Sequence, residues 1–193
     1  MKLVTFETGA DRPRPGLLTE RGVAGILALG VVDVINRFAE LQPELERLAQ
    51  YGSALPLEEV RLLAPIPRPG KILCCIANYW EHAQREPRPL NMFLKNPDAV
   101  IGDGDTVRLP AFTVPWMFMH EAELAIIVKG PAKGVPEPDW RSGVFGYTGL
   151  MDITGRGEGC STWGRGTWIG KIVRYVLSDR SIHHYCRRDR RPQ

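Results

Sequence analysis

No apolar run in this chain approaches the roughly 20 residues that a bilayer-spanning helix needs, and no charged-then-apolar leader opens it. Both absences point to a soluble, cytoplasmic protein without a membrane partner. Cys-x-x-Cys spacing is also missing. Cys74, Cys75, Cys160 and Cys186 make no disulfide framework, because neighbours such as Cys74 and Cys75 point to opposite faces of a strand. Reduced thiols, buried or idle, are expected instead. Internal repeats and low-complexity tracts are absent, so a repeat architecture is excluded. The glycine-rich run "GRGEGCSTWGRGTWIGK" lacks a Gly-Lys-Ser/Thr ending and is not read as a phosphate cradle.

What is present suits a globular protein. With 193 residues and 44% hydrophobic content, the chain can build one medium domain, or a small domain and part of a larger one. The net charge of +3 is uneven. Residues 172–193 hold six arginines against Asp179 and Asp189, a net of +4, which leaves 19 basic and 20 acidic residues, a net of −1, before them. A basic end of this kind can act as a nucleic-acid arm.

Two modules and a tail are expected. Residues 1–68 read as a small α+β module: "KLVTFE" and "GVAGILAL" have strand character, and "DVINRFAELQPELERLAQYG" places Val34, Ile35, Phe38, Leu41, Leu45 and Leu48 at helical spacing. Pro43 predicts a break or a new start in that helix, and Gly52 its stop. "APIPRPG" ends the module as a proline-rich connector. Residues 69–171 read as a largely β domain built from "KILCCIA", "NMFLKN", "DAVIG", "DTVRLP", "ELAIIVKG" and "GVFGYTGLMDIT", interrupted by the short helical segment "NYWEHAQRE". The fold class is therefore mainly β with short helices.

In the strand "HEAELAIIVKG", Glu121 and Glu123 share one face, while Ala122, Leu124, Ile126 and Val128 form the other. A solvated strand end explains the pair equally simply. Asp152, at the end of the strand "VFGYTGLMD", is a third carboxylate, and three oxygen donors suit a hard divalent cation such as Mg²⁺ or Mn²⁺. By default His82, between Glu81 and Glu86, is a surface residue, and Lys95 and Lys171 are solvated lysines.

Four blocks, "RPGKILCCIANYWEHA", "NMFLKNPDAVIGDGDTVRLP", "HEAELAIIVKG" and "VFGYTGLMDITGRG", resemble the fumarylacetoacetate hydrolase family in order and spacing. The resemblance implies a mixed β-roll, incomplete at its C-terminal end here, with a bound Mg²⁺ or Mn²⁺ and commonly a homodimer. It implies Glu121, Glu123 and Asp152 as metal ligands and Lys171 as the active-site lysine. His82 falls on the histidine of a lid helix that activates water in hydrolytic members. Tyr79 and Lys95 are implied as substrate contacts. Hydrolytic relatives often place a glutamate three residues after that histidine; here Arg85 stands there and Glu86 follows it. The implied substrate is a small 2-oxo or 1,3-dicarbonyl acid of acylpyruvate type, as in aromatic-compound catabolism. The implied reaction is C–C bond hydrolysis, with decarboxylation or isomerisation as alternatives on the same centre.

After Lys171 the family continues differently. The codons permitted for Ile172 to Pro192 include a string that, read one base later, spells "SFDTFCPIGPSITTADEIADP", which resembles that continuation. Residues 172–193 are thus expected to be an out-of-frame tail, which leaves a truncated, inactive remnant as a rival to the enzyme. A nucleic-acid-binding tail is the lesser reading.

Overall fold

The computed structural model describes residues 1–9, 11–76, 78–79, 91–108, 119–155, 175–176 and 182–183. The chain begins with three antiparallel strands, β1 (Lys2–Glu7), β2 (Arg14–Thr19) and β3 (Gly22–Gly25). The β2–β3 turn needs glycine at its end: Gly22 has φ 120°, and a Cβ there would lie 2.0 Å from the Leu55 carbonyl oxygen.

Two helices follow, α1 (Val31–Asn36) and α2 (Phe38–Tyr51). The break falls at Arg37 and not at Pro43, which sits inside α2. Arg37 leaves the helical conformation yet serves both helices, its N–H donating to the Asp33 carbonyl at 3.0 Å and its own carbonyl accepting from Glu40 and Leu41 at 3.0 Å. Pro43 deprives only the Ala39 carbonyl of an intrahelical donor, and both residues are exposed to solvent. Gly52 ends α2 as expected, its N–H bonding the Leu48 carbonyl at 2.8 Å. The Arg21 guanidinium donates to the terminal carbonyls of Ala49, Gln50 and Gly52, as a cation at a helix C-terminus should.

The remaining strands are β4 (Arg61–Leu63), β5 (Ile72–Cys75), β6 (Met92–Lys95), β7 (Val100–Ile101), β8 (Met119–Val128) and β9 (Val144–Thr154), with backbone pairs at β10 (Tyr175–Val176) and β11 (Ile182–His183). "DAVIG" contributes only β7, after a short 3-10 turn at Pro97–Ala99. Residues 105–108 of "DTVRLP" are not strand. Most of "NYWEHAQRE" lies outside the described residues.

Among the described residues, nine strands join one sheet in the order β3-β2-β1-β11-β9-β10-β7, with β4 beside β1 and β8 beside β9; β5 and β6 form a separate pair. Strands from both sides of the Pro-rich connector thus share a sheet. They also share a core. Leu3, Leu17, Val34 and Leu45 are buried together with Phe145 of β9, whose ring meets that of Phe38 edge-on at 5.1 Å. The architecture is a mainly β, mixed α+β fold with few short helices, as its sequence pattern implied.

Candidate metal and catalytic site

The carboxylates lie on the longest strand pair. β8 and β9 run antiparallel with Glu121 directly opposite Asp152 and Glu123 opposite Leu150, so all four side chains leave the same face of the sheet. That face is the covered one: Asp152 and Leu150 are buried, and Glu121 and Glu123 are half-buried. The apolar face of β8 behaves contrary to expectation. Leu124, Ile126 and Val128 are 61%, 51% and 63% exposed, so the side that looks made for a core faces solvent.

Lys95, the last residue of β6, is buried and pairs with Asp152, Nζ to Oδ1. Sequence makes this contact reachable. Asn96 caps the turn after Lys95, its Oδ1 accepting the Asp98 N–H at 3.0 Å. The turn then packs Ala99 against Ile153, the residue after Asp152. The lysine side chain also passes the Phe93 ring, with Nζ 5.9 Å from its centroid. Lys95 is therefore not a solvated lysine.

Tyr79 stands beside the same strand, its hydroxyl oxygen accepting the Leu124 N–H at 3.2 Å. His82, Glu86 and Lys171 lie outside the described residues. One group was not anticipated. Thr154, two residues beyond Asp152 on the same face of β9, is buried, and its hydroxyl has no hydrogen-bond partner among the described residues. Its only signal in the sequence is that i+2 relation to an acidic residue.

Among the described residues, no three His, Cys, Asp or Glu side chains converge closely enough to enclose a metal ion as they stand. Their chemistry nevertheless fits one: three carboxylates on one covered face, two of them direct cross-strand neighbours, and a buried hydroxyl with unmet bonding capacity. This defines a class of site, an acidic oxygen-donor centre backed by a buried lysine.

Comparison with known proteins narrows the class. The pattern described as the C-terminal domain of fumarylacetoacetate (FAA) hydrolase matches residues 71–169, about half of the chain. A mitochondrial oxaloacetate tautomerase of Xenopus laevis is 30% identical over 188 residues, covering 89% of this chain and 57% of that protein. The crystal structure of maleylpyruvate hydrolase from Sphingobium sp. SYK-6, in complex with manganese(II) and pyruvate, superposes with a TM-score of 0.75 at 30% identity, over 95% of this chain and 67% of that one. A 5-carboxymethyl-2-hydroxymuconate delta-isomerase of Mycobacterium smegmatis gives a TM-score of 0.71 at 25% identity, over 97% of this chain and 68% of that one. The chain belongs to the fumarylacetoacetate hydrolase family. It spans a little over half the length of the curated relatives it matches. Relatives in this family include hydrolases, isomerases and tautomerases. No described helix is long and apolar enough to cross a membrane.

Proposed function

We propose that this chain carries the metal centre of an enzyme that cleaves a C–C bond in a small 2-oxo or 1,3-dicarbonyl acid of acylpyruvate type by hydrolysis. The supporting observation is the register that sets Glu121 opposite Asp152, with Glu123 beside them on the covered face. The manganese and pyruvate in the maleylpyruvate hydrolase crystal structure agree with that reading. Glu121, Glu123 and Asp152 would hold Mg²⁺ or Mn²⁺, which when bound supplies Lewis-acid stabilisation to a developing enolate oxygen.

The other roles belong to the chain itself. His82 takes the proton from an attacking water, with Glu86 as the nearest candidate to orient it. Lys171 brings positive charge to the developing oxyanion. Tyr79, tied to β8 through Leu124, lines the substrate side. With Arg85 where hydrolytic relatives often carry a glutamate, and with a tautomerase among the relatives, isomerisation or tautomerisation is the second reading. Decarboxylation is a third outcome on the same groups.

Purified protein with Mn²⁺ or Mg²⁺ should consume an acylpyruvate, seen as loss of the enol absorbance, and Glu123→Ala should abolish turnover. Loss of an oxaloacetate enol signal without cleavage would favour the second reading. Metal binding with no turnover on either compound would favour an inactive remnant. We further propose a homodimer, to be checked by sedimentation velocity. We also keep the out-of-frame reading of residues 172–193. The family match ends at residue 169, and sequencing the gene across the Lys171–Ile172 junction tests it. A basic arm would instead give salt-dependent nucleic-acid binding that is lost on deleting those residues.

A further inference from the structure

Building on the metal-enzyme reading, we propose that Lys95 is a positioning residue. It supplies the counter-charge that lets Glu121 and Asp152 stand opposite each other, and it holds Asp152 by one carboxylate oxygen so that the other can serve a cation.

Like charges directly opposite on an antiparallel pair repel across about 5 Å between Cβ atoms. Solvent cannot screen that repulsion at Asp152, whose side chain is 4% exposed. Lys95, with a side chain 0% exposed, reaches Asp152 Oδ1 from a different strand pair. Its backbone is held in β6 opposite Ile72 and by the Asn96 cap that follows. A carboxylate has two oxygens and about four lone-pair sites, so one ammonium contact leaves Oδ2 capacity for a second partner. Three carboxylates, one ammonium and one divalent cation also sum to neutrality, the arrangement a covered site tolerates best. The covered Nζ is thus committed to Asp152 and not to a substrate that comes and goes.

The test is Mn²⁺ binding without substrate, followed by the EPR signal of free Mn²⁺, on wild type, Lys95→Met, Asp152→Asn and the double variant. Lys95→Met should weaken Mn²⁺ binding about 10- to 100-fold, the usual effect of losing a group that orients a ligand. In the Asp152→Asn background the same change should matter less than about threefold, because its effect passes through Asp152. Unchanged or tighter binding by Lys95→Met, or an equal loss in both backgrounds, would overturn the proposal. If Lys95→Met fails to fold while the neutral double variant folds, the counter-charge role is supported; if neither folds, the pair serves packing alone and the proposal falls. Should wild type bind no Mn²⁺, the metal reading itself fails, and the thermal stabilities of the single and double variants still decide the counter-charge role.

Discussion

Phe145→Ala is the substitution that best probes how the site strand is anchored. Phe145 is 3% exposed and lies in the same core as Leu3, Leu17 and Val34, at the start of the strand that carries Asp152. Truncating a buried Phe to Ala costs about 3–5 kcal/mol through lost transfer energy and the cavity left behind. Roughly 0.5–1.5 kcal/mol of that belongs to the edge-on pair with Phe38. Phe38 is only half-buried, so water can enter part of the cavity and the lower end applies, about 3 kcal/mol. With an m-value near 2 kcal/mol per molar in urea, that lowers the midpoint by about 1.5 M. For a chain of this size it lowers Tm by roughly 6–12 °C. Urea unfolding followed by tryptophan fluorescence measures it, and Phe38→Ala with the double variant isolates the ring pair. A midpoint shift below about 0.5 M would refute the claim that β9 is fastened to the N-terminal core through this residue.

Thr154→Val is nearly isosteric and removes a buried hydroxyl with no described partner, so Tm should stay level or rise; a fall worth more than about 1 kcal/mol would show that the hydroxyl is bonded. Glu40 is held below the usual carboxylate range by its hydrogen bond and charge attraction to Arg37. Its contribution to stability is therefore fully present above the ordinary carboxylate pKa and is lost as pH falls through the depressed value. An NMR titration should find the Glu40 carboxyl titrating low in wild type and returning to the ordinary range in Arg37→Ala, with no more than a small effect on stability because the pair is exposed.

Period-two alternation made the site legible. Glu121 and Glu123 share a face because strands alternate, and the structure keeps them there, half-buried opposite Asp152 and Leu150. Alternation does not say which face is covered. The apolar side of β8 was the natural candidate for the core, yet the neighbouring elements pack over the carboxylates. Lys95 was misjudged for a related reason: its exposure depends on the turn that folds Ala99 onto Ile153, a long-range contact that no local pattern encodes. Helix content was legible from the spacing of Val34, Ile35, Phe38, Leu41 and Leu45, and Gly52 gave the stop. The break was misplaced because a proline on an exposed helical face removes only one hydrogen bond, whereas Arg37 departs from the helix with its N–H and carbonyl both satisfied.

β8 divides its mutations between two kinds of selection. Odd-numbered changes, at Glu121 or Glu123, alter chemistry and would be purged or retained by the reaction the protein serves. Even-numbered ones, at Leu124, Ile126 or Val128, leave the carboxylates in place and alter only what that exposed row will stick to. Over generations the two halves of a single ten-residue strand can therefore drift at independent rates, one tracking a substrate and the other tracking the company the protein keeps.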